Sequence, residues 1–133
     1  MSQENVQIVQ ELFEAVGRGD IEAALRLVHP DGEWANPDYA MEPGTRHGLS
    51  GVRTALTAFS DSFADLRFDI TEVVDLEERV LVTGTFSGVG RTSEVAFGSQ
   101  TFGSVVTLAD GKMQRYEWYL NPAEAREAAG LSE

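Results

Sequence analysis

The segment Tyr116-Glu117-Trp118-Tyr119 gathers two phenols, an indole and a carboxylate into four consecutive residues. Aromatic rings combine large apolar area with a polar edge, which suits the wall of a small-molecule site. The second indole, Trp34, stands two residues before Asn36, whose amide both donates and accepts hydrogen bonds. Residues two apart on an extended strand share a face. Upstream, Asp110-Gly111 is a favoured pair for a two-residue hairpin turn. With Ala109 facing Lys112, uninterrupted counting places Tyr116 opposite Val105, Glu117 opposite Ser104, Trp118 opposite Gly103 and Tyr119 opposite Phe102. Tyr116, Trp118 and Leu120 then share one face with Gly103 and Val105. Glu117 and Tyr119 share the other with Phe102 and Ser104. A ring opposite a glycine either lies over bare backbone or borders a void. The spacings set Trp34 with Asn36 on one strand face and Tyr116 with Trp118 on another, side chains of the kinds that line an apolar pocket, and Tyr39 stands on the following loop, where a pocket's mouth could close. Plain core packing of the aromatics is the competing reading.

Such a pocket does acid–base chemistry only if a titratable group enters it. The candidates are Asp38, His47 and Glu117. Asp38 follows Pro37, where an Asx-type turn is the alternative role. His47 is a candidate acid or base at the edge of the pocket mouth, and its alternative is a solvated loop position. Glu117 qualifies only if its strand face turns inward. His29 is read as a helix C-terminal residue facing the helix dipole. With two histidines, no cysteine and no close His/carboxylate spacing, no metal site is expected. No nucleophile elbow occurs, since Gly98-Ser99-Gln100 lacks a strand-to-helix context. Gly84, Gly88, Gly90, Gly98 and Gly103 fall within strand patterns and predict bends and bulges rather than a phosphate loop. No cofactor is expected.

The elements that must position these groups are legible from period. Val6, Val9, Phe13 and Val16 mark a helix face over about 5–16, with Ser2 as a cap and Gly17 or Gly19 as a stop. Asp20 caps a second helix carrying Ile21, Ala24, Leu25 and Val28, ended by His29-Pro30-Asp31-Gly32. Glu33 to Asn36 is a short strand, and Pro37 to His47 a loop. Ser50 caps a third helix with Val52, Leu56, Phe59 and Phe63 on one face. The period then changes to two: Leu66, Phe68 and Ile70 alternate with polar residues. Strands follow over 80–89, 95–108 and 112–120. Asn121-Pro122 opens a terminal helix over 123–129. Helices first and a run of antiparallel strands afterwards make an α+β chain.

The chain has 133 residues, one domain spanning 1–133 at roughly 150 residues per domain. Hydrophobic residues make up 42%, enough for a core without disulfides. Ten basic and 22 acidic residues give a net charge of −12. That charge disfavours nucleic acid and anionic membrane as partners. No apolar run is long enough to span a bilayer, and the N-terminus lacks a secretory pattern, so the expected location is the cytoplasm.

The order of elements, together with particular residues, resembles the nuclear-transport-factor-2-like superfamily and its SnoaL-like group. The matching residues are Glu11-Leu12-Phe13-Glu14-Ala15-Val16 into Gly19-Asp20, Ala24-Leu25 and His29-Pro30-Asp31-Gly32-Glu33-Trp34. They continue with Gly48, Gly51-Val52-Arg53, Phe59, Phe63-Ala64-Asp65, Asp110-Gly111-Lys112 and the tail from Ala123-Glu124-Ala125 to Gly130. The resemblance covers essentially the whole chain. It implies a cone: N-terminal helices packed on a strongly curved antiparallel sheet that encloses a pocket, with the Tyr116 and Trp118 face looking into it, so that Trp34, Asn36, Tyr116 and Trp118 would line the pocket and Tyr39 would close its mouth. It also implies a homodimer through the back of the sheet, where Phe102, Val106 and Tyr119 would supply apolar surface. The superfamily's ketosteroid-isomerase chemistry pairs a carboxylate base with a tyrosine and a protonated acid. By resemblance the base falls at Asn36, the tyrosine at Leu12 and the acid on the strand around Gln100 to Ser104, and none carries the required group. Two functions stay open. One is a small-molecule-binding protein acting as a cofactor-independent isomerase, cyclase, hydratase or hydrolase on an apolar or aromatic substrate. The other is a non-catalytic ligand carrier or dimeric interaction module.

Overall fold

A computed structural model describes residues 2–40, 42–90 and 96–131, with backbone alone for Ser2 and residues 96–99. The cap expected at Ser2 and the strand start expected at Val95 fall outside what is described. Helix α1 (Ser2–Gly17) buries Val9, Leu12, Phe13, Ala15 and Val16. It is followed by Gly19 at φ +75°, a left-handed conformation that glycine adopts without steric cost. Helix α2 (Ile21–Leu25) starts as expected at Asp20, whose carboxylate accepts from the Ala23 N–H at 3.1 Å.

Strand β1 (Val28–Asn36) begins earlier than the sequence suggests. The segment His29-Pro30-Asp31-Gly32 does not break the chain into a turn; it bulges within the strand. Val28 pairs with Met113, and pairing resumes only at Glu33 with Arg115. Proline, which lacks a donor, is tolerated at such a bulge. Gly32 is needed there, because a Cβ would sit 2.7 Å from Val28 Cγ1 and 2.9 Å from the His29 carbonyl oxygen. His29 therefore belongs to a strand, not a helix end. Its Nδ1 accepts from the Asp31 N–H at 3.0 Å.

The segment read as a loop contains a short edge strand, β2 (Gly44–His47), paired antiparallel with β1. Helix α3 (Gly48–Ser62) starts ahead of Ser50 and has no side-chain cap. Strands β3 (Phe63–Leu76), β4 (Arg79–Gly90), β5 (Ala96–Ala109) and β6 (Lys112–Tyr119) follow, then helix α4 (Pro122–Ala128). The Asp110-Gly111 turn forms with φ +55° and +74°, as a type I′ hairpin requires. Asn121 caps α4 by accepting from the Ala123 N–H at 2.9 Å.

The described strands make one curved sheet in the order β2-β1-β6-β5-β4-β3. It is mixed rather than wholly antiparallel, because the first long strand docks parallel beside the last, β1 on β6. Register partners share a face. One row runs from rim to core as Arg46, Trp34, Tyr116, Val106 and Val80. The next runs Trp118, Ser104, Val82 and Val73. This inner face packs on α1, α2 and α3 to form the main core. On the outer face, α4 covers Leu81 and Val105 with Ala125 and Ala129.

Uninterrupted counting from the hairpin fails by one residue. Leu108 pairs with Met113 and Thr107 with Arg115, so Gln114 bulges out. Beyond it Tyr116 faces Val106, Trp118 faces Ser104, Glu117 faces Val105 and Tyr119 faces Gly103. The slip turns Phe102 and Val106 inward, 4% and 0% exposed, so the apolar back-of-sheet patch expected from Phe102, Val106 and Tyr119 does not form. Gly103 makes room for α4, not for Trp118: a Cβ there would lie 2.6 Å from Ala125 Cβ and 3.1 Å from Pro122 Cα. We predict that Gly103→Ala pushes α4 off the sheet and costs about 1–3 kcal/mol in urea unfolding, as overpacking does.

Candidate functional site

The inner face and the helices leave a cavity of about 950 Å³. Leu12, Phe13 and Val16 of α1 line it from one side, and Thr54, Ala55, Leu56, Ala58, Phe59 and Ser62 of α3 from another. The sheet contributes Trp34, Asn36, Arg46, Phe68, Phe86, Phe102, Met113, Tyr116 and Trp118. Ala40, Glu42, Phe63 and Leu120 complete the lining. The walls are held by ring-on-ring contacts. Phe68 stands edge-on to Phe13 at 5.3 Å and to Phe102 at 5.8 Å, and Trp34 lies tilted over Tyr116 at 4.5 Å. Leu12, Asn36 and Phe102, at the positions the resemblance gives to isomerase chemistry, border this same cavity without an ionisable group among them.

Asn36 organises the polar part. Its Oδ1 accepts from Trp34 Nε1 at 2.8 Å and from Trp118 Nε1 at 2.7 Å. Its Nδ2 donates to the Glu42 carbonyl oxygen at 2.8 Å. Two indole donors converging on one oxygen fix the amide's orientation, since the reversed amide would oppose donor to donor. Sequence reasoning expected Asn36 to offer both halves of its amide to a ligand. Instead both lone pairs of its oxygen hold the indoles.

Tyr116 is fully enclosed, and its hydroxyl lies 2.6 Å from that of Ser104. Burial pushes the phenol up to about 12, against the smaller opposing effect of the Ser104 hydrogen bond. The phenol is neutral at physiological pH, and in its contact with Ser104 either hydroxyl can donate. A raised folded-state value means that its contribution to stability is complete below the unfolded value near 10 and is lost as pH climbs to about 12.

None of the three acid–base candidates enters the cavity. Asp38 is exposed on a turn. His47 is exposed at the sheet edge, with Nδ1 3.2 Å from Glu33 Oε2. Glu117 lies on the outer face, where it accepts from Arg115 Nε and the Tyr119 hydroxyl, both at 3.1 Å. The one-residue slip does not alter that parity, because Tyr116 and Trp118 stay on one side of β6 and Glu117 on the other. Tyr39 is 51% exposed and outside the lining. Its hydroxyl accepts from the Leu120 N–H at 2.8 Å and donates to Glu124 at 3.0 Å, which pins the loop beside the cavity instead of capping it.

Sequence reasoning missed Glu42 and Arg46, whose side chains pair at the rim. Their signal was weak: two opposite charges flanking Pro43-Gly44 in a segment read as loop. The phenylalanines of β3, β4 and β5 were legible as apolar strand positions but not as cavity walls. Among the described residues no cluster of His, Asp and Glu is arranged to hold a metal. No described helix is long and apolar enough to cross a membrane.

Asn36→Leu strands two indole donors, and we predict a loss of about 1–3 kcal/mol for each unpaired group, read by chemical denaturation. Asn36→Asp keeps an acceptor for both indoles but sets its second oxygen against the Glu42 carbonyl, so it too should destabilise the fold. An ultraviolet titration of the phenols should show one tyrosine ionising near 12 in the folded protein. Its early ionisation at about 10 would contradict the buried placement.

The sequence matches the family model described as a SnoaL-like domain over residues 9–116. Among solved structures it is similar to an NTF2-like protein of unknown function from Burkholderia pseudomallei, with 26% identity, a TM-score of 0.77, and coverage of 93% of this chain and 95% of that one. It is also similar to an NTF2-like protein from Burkholderia xenovorans, with 28% identity, a TM-score of 0.71, and coverage of 96% and 97%. A protein described as a SnoaL-like polyketide cyclase from Jannaschia shares the fold at 16% identity and a TM-score of 0.77, over 88% and 85% of the two chains. No curated protein matches the sequence. The helices before a curved sheet, the cavity between them and the family match over most of the length agree: this chain belongs to the SnoaL-like domain family.

Proposed function

We propose that the cavity binds a small, flat, largely apolar or aromatic molecule, and that its walls hold this molecule without supplying a strong base at depth. One observation carries the reading. Trp34, Asn36, Tyr116 and Trp118 surround a single cavity, while Asp38, His47 and Glu117 all lie outside it. Burying a ring against indole and phenyl walls gains about 25 cal/mol per Å² of apolar area removed from water. The indole edges add no free donors, because Asn36 holds both. Shape and apolar area therefore select the ligand more than hydrogen bonds do.

A catalytic reading, cyclase-like or isomerase-like, has one specific support. Glu42 is a carboxylate on the lining, and it is engaged by Arg46. The guanidinium occupies the carboxylate oxygen that would have to take a proton from a ligand. Binding is therefore the stronger proposal, and any proton transfer would need Glu42 to leave Arg46.

Titration with a flat aromatic probe should quench tryptophan fluorescence. Trp118→Ala should weaken binding by about 1–3 kcal/mol, and Trp118→Phe, which keeps a ring, should weaken it less. Glu117→Gln, on the outer face, should leave binding unchanged. Saturable quenching that survives Trp118→Ala, or that responds to Glu117→Gln, would place the ligand elsewhere.

A further inference from the structure

Among the described residues the cavity lining carries one cation, Arg46. Arg46 is the register partner of Trp34, so its side chain leaves the sheet on the same face as the indole. Its backbone is wedged against α3: a Cβ on Gly51 would come 3.1 Å from the Arg46 carbonyl carbon and 3.2 Å from its Cβ. The guanidinium is thus launched from a fixed base, and the side chain is 35% exposed. Its partner, the Glu42 carboxylate, belongs to a side chain that is 76% exposed. Only the Glu42 backbone is tied inward, through the Asn36 amide.

Building on the binding role proposed above, we infer that the ligand carries one carboxylate, that Arg46 receives it, and that Glu42 holds that place in the protein alone. A guanidinium fork matches a carboxylate in plane and in spacing. The carboxylate it would replace belongs to a largely exposed side chain, and ion pairs open to solvent contribute little, so displacing Glu42 costs little. A carboxylate on Arg46 leaves the attached ring beside Trp34 and Tyr116, along the row that runs into the core. The protein's charge of −12 opposes an approaching anion, but at physiological salt that field is screened beyond about 8 Å. The local pairing decides.

Calorimetric titration of naphthoate and its uncharged isostere naphthamide tests this. The wild type should prefer naphthoate by about tenfold, as a hydrogen bond to a charged group of ordinary strength gives. Arg46→Gln should abolish the preference, with an unchanged circular dichroism spectrum showing that the variant is folded. Glu42→Gln should tighten naphthoate several-fold relative to naphthamide by removing its competitor. Equal affinity of the two probes in the wild type, or a preference that survives Arg46→Gln, overturns the carboxylate assignment and leaves the binding role standing. Failure of both probes to bind overturns the binding role and this inference together.

Discussion

One side-chain oxygen, Oδ1 of Asn36, accepts both indole N–H groups of the chain, and the site is arranged around that fact. Trp34 sits on β1 and Trp118 on β6, so the shared acceptor ties together the only parallel pair among the described strands. The amide's other end holds the Glu42 carbonyl and so anchors the loop after β1. An amide is the side chain that meets all three demands, with an acceptor for two donors and a donor for one carbonyl. A carboxylate at this position would serve the indoles but face the Glu42 carbonyl oxygen with no proton to offer. The residue that stands where isomerase chemistry would put a base thus works as a structural tie.

That arrangement separates charge from cavity. The inner face carries rings, Ser104 and a phenol held neutral by burial. The outer face of β1 and β6 carries Glu33, Arg115 and Glu117. Arg115 donates to both carboxylates, and these bonds outweigh the burial that opposes its charge, so its value is raised. Alternation along two neighbouring strands sorts the two sets without any special device. The family's fold accommodates many chemistries because such a cavity can be re-equipped one side chain at a time. In this chain the depth of the cavity carries no carboxylate or imidazole, and an ion pair stands at the rim.

Element order apart from β2, the helix caps at Asp20 and Asn121, and the two-residue Asp110-Gly111 turn were legible, because each rests on local chemistry that the chain carries with it. Parity alone put Trp34 with Asn36, and Tyr116 with Trp118, on shared strand faces, and those shared faces survived the register slip. What parity could not give was the partner strand. Gln114 is an ordinary polar residue, and nothing in its type announces a bulge; the bulge faces the break in β1 at His29-Pro30-Asp31-Gly32, where two irregular segments accommodate each other. Gly103 shows the same limit. A bare backbone position was visible, but which neighbour needed the room depends on α4 folding back over the sheet. Arg46 and Glu42 escaped notice because β2 is a short edge strand whose pairing with β1 is a tertiary event.

The most direct test of the central claim, that the two indoles wall a ligand cavity, is a nitrogen–proton correlation spectrum recorded during titration with a flat aromatic probe. The chain has 2 tryptophans and therefore 2 indole signals. Both donors share Asn36 and both rings border the cavity, so a bound ring should shift the two signals together along one saturation curve. Saturable binding that leaves both indole signals unmoved would contradict the cavity assignment.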